Sequence, residues 1–321
     1  MYVNTLHATV NIIYIKRVKM YPTQTNEIKL IQDQKDILEV RLEITQDCNL
    51  SCKYCIAKYS KNVLNVKDLL PDLINKVSDA IIEHNYKYII LTVSGGEPLI
   101  EIDTLIHTVL KFGSEVKKFF NIDIEVKILT NGILLKQNSI LKKLSILNKI
   151  YKTELIISIH NVQSYKDFNR YVQSLIDHNI KFYTRKPISN EKDFDQLKEI
   201  KVDDIFPAFE SYHNIKYLED KGKYIMNWYK PGFLFNDNEI TPKDLWFKTN
   251  FNFKGYSCNS GKNLICIGVD SRVYPCSIYL HKDIHTENSG INIKDFKFEN
   301  TICNQTECWC FTTCRKGSSN E

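Results

Sequence analysis

The ten cysteines of this 321-residue chain fall into two groups, and their spacing suits metal ligation. Cys48, Cys52 and Cys55 are spaced C-x3-C-x2-C, while Cys258, Cys266, Cys276, Cys303, Cys308, Cys310 and Cys314 crowd the C-terminal end. Residues 56–257 contain none. Core-filling thiols would scatter among the central elements, because a free cysteine packs like a small hydrophobe. Disulfides suit small secreted scaffolds, and this chain is neither small nor marked by a signal-peptide pattern. Metal binding accounts for the clustering. Three thiolates on one short loop can hold three corners of an iron–sulfur cube, which usually takes four and so keeps one iron open. Structural zinc prefers four closed protein ligands, and no histidine or fourth cysteine lies near the first group.

The first group needs a scaffold, and the pattern before and after it supplies one. Apolar, β-branched runs at 39–45, 88–93, 123–129, 154–159, 180–184 and 203–208 read as strands. Helical patterns lie between them at about 66–84, 102–118, 137–148, 163–178 and 190–199. In the fourth, Tyr165, Phe168, Tyr171, Val172, Leu175 and Ile176 share one face. Strands alternating with helices predict an α/β fold with a parallel sheet and right-handed crossovers. The cysteine loop then follows the first strand, and in such folds active sites are built at the C-terminal strand ends.

Four segments are expected: a β-rich extension over 1–38, the α/β unit over 39–209, a bridge over 210–257 and a cysteine-rich module over 258–321. A net charge of +5, spread along the chain, does not argue for nucleic acid. No apolar run approaches the roughly 18–20 residues that a membrane span needs, so a cytoplasmic protein is expected.

The run CNLSCKYC after the first strand resembles the signature of the radical S-adenosylmethionine (radical SAM) enzymes. Ser94-Gly95-Gly96-Glu97-Pro98 stands after the second strand, where that family places a Gly-Gly-Glu-Pro turn. The resemblance implies a partial (βα)6 TIM-like barrel. Cys48, Cys52 and Cys55 would hold a 4Fe–4S cluster, with Tyr54 near the adenine of S-adenosylmethionine and the glycine turn at its methionine amino group. By the same resemblance, Thr130, Asn131, Ser158 and Arg185 become candidates for cofactor contacts at later strand ends. Ser158 would serve the ribose, and Arg185 could grip the carboxylate bidentately. His160 stands where many relatives carry an acid, so it is a candidate for cofactor contact, substrate contact or a capped strand end. With Arg185 it is also a candidate for catalysis.

From Cys258 the chain resembles the opening of the SPASM or twitch modules appended to many radical SAM enzymes, with Ser271 replacing their glycine. A hairpin over Leu264–Val269 and Arg272–Tyr274 is expected there. The closing run CNQTECWCFTTC departs from the usual spacing, so one or two auxiliary 4Fe–4S clusters remain open. Under the two-cluster reading, Cys258, Cys266, Cys276 and Cys314 form one set and Cys303, Cys308 and Cys310 another. The resemblance implies reductive cleavage of S-adenosylmethionine to a 5′-deoxyadenosyl radical that abstracts hydrogen from a substrate. A ribosomally made peptide or protein is the favoured substrate, and a nucleotide or small molecule the alternative. An electron donor such as flavodoxin or ferredoxin is the other expected partner; membrane and nucleic acid are not. From a different class, the chain could be a non-catalytic, metal-stabilised binding protein that has kept the scaffold.

Overall fold

The structure is a computed structural model. It describes residues 36–52, 55, 62–188, 193, 195–207, 233–235, 238–240, 257–258, 260–276, 280, 290–302 and 314–315. Tyr54, Cys303, Cys308 and Cys310, nearly all of the 1–38 extension and most of the 210–257 bridge lie outside the described residues.

Six strands carry the architecture: β1 (Ile37–Thr45), β2 (Tyr88–Gly95), β3 (Ile124–Thr130), β4 (Lys152–Ser158), β5 (Lys181–Ile188) and β6 (Asp204–Pro207). They lie side by side in chain order, and every neighbouring pair is parallel. Helices α1 (Val66–His84), α2 (Ile102–Phe120), α3 (Asn138–Ile150) and α4 (Val162–Asp177) make the crossovers. The sheet is open at both edges, so the fold is α/β with a partial barrel.

Side-chain alternation divides the sheet into two faces. Leu38, Val40, Leu42 and Ile44 of β1 are fully buried, as are Ile89, Leu91 and Val93 of β2. They join buried residues of all four helices, among them Leu73, Val77, Leu105, Phe112, Leu144 and Leu175, in one core. The opposite face carries Glu39, Arg41 and Glu43 of β1, in register with Ile90, Thr92 and Ser94 of β2. On this polar face Arg41 pairs with Glu39 at 2.8 Å, and the Thr92 hydroxyl donates to Glu39 at 2.9 Å. Burial works to raise the Glu39 carboxyl, but Arg41, the Thr92 hydroxyl and Lys127 together hold it below its ordinary range.

Of the helical pattern expected over 190–199, the described residues show Asp193 and Asp195 in helix, followed by the 3-10 turn Gln196–Lys198. The stripe expected on α4 is also narrower than its period suggested: Phe168, Val172 and Leu175 are buried, but Ile176 is 37% exposed.

Beyond β6 come the hairpin β7 (Phe233–Phe235) and β8 (Asn238–Ile240), then β9 (Ser257–Cys258), β10 (Leu264–Ile267), β11 (Arg272–Tyr274), β12 (Ile291–Asn292), β13 (Thr301–Ile302) and β14 (Cys314–Arg315). The expected β10–β11 hairpin is present, turning through Gly268–Ser271, with Ser271 at φ 61 in the left-handed region where the resemblance placed glycine. The hairpin does not stand apart from the barrel. Strand β10 pairs parallel to β1, extending the sheet at that edge to the order β12-β11-β10-β1-β2-β3-β4-β5-β6. A separate small sheet has the order β13-β9-β14.

Candidate active site

The cysteine loop leaves the C-terminal end of β1, and backbone bonds hold its base against the end of β2. Gly96 N–H donates to Thr45 O at 2.7 Å, and Glu97 N–H to Asp47 O at 2.8 Å. A Cβ on Gly95 would lie 2.2 Å from Thr45 O, and one on Gly96 2.2 Å from Asp47 O. Only glycine lets these two strand ends close. Within the loop, Cys55 N–H donates to Cys52 O at 3.0 Å, turning the second and third cysteines together. None of the three is in a disulfide; Cys48 and Cys52 are half-buried and Cys55 is exposed.

Glu97 locks the next strand end to this base. It is fully buried, caps the 3-10 turn Pro98–Glu101 through Leu99 N–H at 3.0 Å, and accepts Thr130 Oγ1 at 2.8 Å and Asn131 N–H at 2.7 Å. Burial pushes its carboxyl up to about 7 despite these three donors. Thr130 also accepts Gly132 N–H at 3.0 Å, so its hydroxyl is engaged inside the fold. Asn131 turns to the cysteine loop, where Nδ2 donates to Asn49 Oδ1 at 2.7 Å and lies 3.9 Å from Cys48 Sγ. Pro98, the first residue of that 3-10 turn, is buried.

Ser158 ends β4 and pairs in register with Arg185. The run Thr184-Arg185-Lys186, expected at a strand end, instead lies within β5, which continues to Ile188. Lys186 is fully buried; its Nζ donates to His160 O at 2.9 Å and meets Asp193 Oδ1 at 3.6 Å. His160 brings Nδ1 to 3.8 Å from Cys52 Sγ. Burial, with Lys186 and Arg185 adding to it, lowers its imidazole to about 4, so the ring is neutral at physiological pH. The ends of β1 to β4 thus converge on one loop of three thiols.

Residues 42–148 match the family model of the Radical SAM superfamily. The chain carries a radical SAM domain. The match runs from β1 through nearly all of α3 and includes both motif loops. The chain is 27% identical over 138 residues to "Radical SAM cyclopropyl synthase TigE" of Paramaledivibacter caminithermalis, covering 38% of this chain and 28% of that protein. It is 34% identical over 103 residues to a "Probable GTP 3',8-cyclase" of Methanococcus vannielii, covering 32% and 31%. The chain therefore spans about a third or less of the curated relatives it matches. Among solved structures, "Native anSMEcpe with bound AdoMet" is similar at a TM-score of 0.52 and 14% identity, over 80% of this chain and 78% of that one. "Native anSMEcpe with bound AdoMet and Cp18Cys peptide" gives 0.51 and 17%, over 81% and 78%. At these identities both are likenesses of fold alone, of the same α/β architecture.

A radical SAM domain implies a 4Fe–4S cluster and S-adenosylmethionine, and three thiols on one loop are the donor type such a cluster takes. Among the described residues, though, no three of His, Cys, Asp or Glu are gathered closely enough to hold a metal ion. Burial pushes the Cys48 thiol up, and the charges of Glu97, Cys55 and Cys52 add to this against the Leu50 N–H. The Cys48 thiol therefore resists ionising alone, and an iron core would compensate a thiolate there. Burial and register revealed what motifs could not: Lys186 holding the His160 carbonyl, Asn49 receiving Asn131, and Glu43 buried beside the β10–β11 turn. Glu43 is 2% exposed, with Gln46 Nε2 at 3.5 Å and Val269 N–H at 3.4 Å from Oε2.

In the C-terminal part, Cys266 and Cys276 are buried, and Cys266 packs with Leu264, Tyr274 and Leu280. Cys258 and Cys314 are Cα partners across β9 and β14. Among the described residues no helix is long and apolar enough to cross a membrane.

Proposed function

We propose that this protein is a radical SAM enzyme that modifies a ribosomally made peptide or protein by hydrogen abstraction. The carrying observation is that the loop bearing Cys48, Cys52 and Cys55 is hydrogen-bonded at its base to the Gly95-Gly96-Glu97 turn at one end of a partial barrel. When bound, the cluster supplies the electron that cleaves S-adenosylmethionine and yields the hydrogen-abstracting radical. The chain's own residues hold and orient. Cys48, Cys52 and Cys55 are the iron ligands, and the glycine turn offers backbone to the methionine end. Ser158 and Arg185, adjacent across β4 and β5, take the ribose and the carboxylate. By the resemblance, we assign Tyr54 to the adenine.

The peptide reading is supported by likeness to a solved structure, described as carrying AdoMet and a peptide, over most of both chains. The matches to GTP 3',8-cyclases favour a nucleotide as the second reading. We place auxiliary clusters of SPASM or twitch type in the C-terminal part, one on Cys258, Cys266, Cys276 and Cys314 and one on Cys303, Cys308 and Cys310. The pairing of Cys258 with Cys314 supports the first set.

The test is the triple Cys48/Cys52/Cys55→Ala protein, reconstituted anaerobically. It should form no 5′-deoxyadenosine with dithionite, stay folded because the loop lies at the sheet's rim, and retain iron at about four atoms per auxiliary cube. Wild-type levels of 5′-deoxyadenosine would overturn the site. Loss of all iron would overturn the auxiliary clusters.

A further inference from the structure

The sulfurs of the cysteine loop are met by nitrogen atoms from three directions. Leu50 N–H lies 3.4 Å from Cys48 Sγ, Asn131 Nδ2 lies 3.9 Å from the same atom, and His160 Nδ1 lies 3.8 Å from Cys52 Sγ. The first comes from the loop itself. The other two are side chains standing just beyond the ends of β3 and β4.

His160 is held from both sides along the chain. The preceding Ile159 N–H donates to Arg185 O at 2.7 Å. Its own carbonyl accepts the buried Lys186 Nζ at 2.9 Å. The following Asn161 caps α4 in a reciprocal box, accepting Ser164 N–H at 2.8 Å while its own N–H donates to Ser164 Oγ at 2.9 Å. A strand end capped and tied in this way needs no imidazole for its own stability. The ring is nonetheless delivered to a sulfur from a residue 108 positions away in the chain.

With the three cysteines assigned to a cluster, as proposed, we infer that His160 is a positioning residue that donates an Nδ1–H hydrogen bond to Cys52 Sγ and raises the cluster's reduction potential. A cysteine sulfur bound to iron carries no proton and can only accept, which selects the Nδ1–H tautomer. Reduction adds negative charge to the cluster and its sulfurs. A donor aimed at one sulfur therefore stabilises the reduced state more than the oxidised one. The bond makes the cluster easier to reduce before any substrate arrives.

The experiment is an anaerobic redox titration of the full chain, following the cluster signal that changes when S-adenosylmethionine is added. That response separates the first cluster from any in the C-terminal part. His160→Phe removes the donor at similar size and should move the midpoint to a more negative potential. His160→Gln restores an N–H donor and should return the midpoint toward wild type. If the phenylalanine variant takes up no iron, His160→Leu is read in the same way. A wild-type midpoint in the phenylalanine or leucine variant, with wild-type iron content, overturns the assignment. So does a glutamine variant displaced as far as the phenylalanine one, because the effect would then be steric. A wild-type protein with no signal responsive to S-adenosylmethionine overturns the proposed function, and this role with it.

Discussion

Gly95 and Gly96 are held to glycine chiefly by the backbone of the strand beside them. From the sequence, their small size reads as room for a ligand. The atoms that would collide with a Cβ are Thr45 O and Asp47 O, each at 2.2 Å, and a carbonyl fixed by its own hydrogen bonds has little freedom to yield. Gly96→Ala is therefore expected to part the base of the cysteine loop from the end of β2. The cost should be about 1–3 kcal/mol or more, the range for forcing atoms into a packed site. Chemical denaturation of the apo-protein measures this without any cofactor, and a stability equal to wild type would show that the loop base yields easily. The motif revealed that glycine was needed. It could not reveal which backbone imposed the need, because Thr45 and Asp47 reach Gly95 and Gly96 only after β1 and β2 pair.

Between elements, Glu97 does for β2 and β3 what the glycines do for β1 and β2. One carboxyl accepts Leu99 N–H, Thr130 Oγ1 and Asn131 N–H, joining the turn after β2 to the end of β3. Glu97→Ala strands these donors in a buried site. The expected loss is about 3 kcal/mol or more, the low end of about 1–3 kcal/mol for each of the three donors. Glu97→Gln keeps an acceptor oxygen and should lose less. Denaturant midpoints of the two variants check the order, and equal losses would mean that size rather than acceptance holds the joint. The elements themselves were legible. Helix α1 occupies 66–84 as its period predicts, and the first four strands lie where the β-branched runs stand, because each element answers to a local repeat. Strand β5 escaped that logic at its far end. Arg185, Lys186 and Pro187 do not read as strand, yet register with Asp204, Ile205 and Phe206 of β6 extends β5 through them.

At the scale of the whole molecule, the C-terminal hairpin returns to the first strand of the barrel, and Glu43 lies at that seam. Arg41 pairs with Cys266, Asn263 Nδ2 donates to Ile37 O at 2.9 Å, and Tyr86 Oη donates to Lys262 O at 2.8 Å. Such a parallel pairing of the chain's early and late parts leaves no local trace, so the cysteine spacing suggested an appended module where the sheet is continuous. Glu43 faces the hairpin turn with few good partners. Burial pushes its carboxyl from the ordinary 4.5 up to about 7, and the nearby Asp270 charge adds to that, against weak bonds from Val269 N–H and Gln46. Asp270 in turn accepts the Tyr274 hydroxyl at 2.6 Å. The raised value sets the sign. The folded state holds the Glu43 proton more tightly than the unfolded chain, so this group's contribution is most favourable at low pH. It declines as pH rises from about 4.5 to about 7 and is level above that. The full decline is about 3 kcal/mol at 1.36 kcal/mol per pH unit. Glu97, raised to about the same value, adds a slope of the same sign. Glu43→Gln removes one share and leaves the other. Its unfolding free energy should fall less steeply than wild type between pH 5 and 7, and at pH 8 the variant should be the more stable protein. A variant with the wild-type slope would mean that Glu43 ionises freely in the fold and that the hairpin opens there to water.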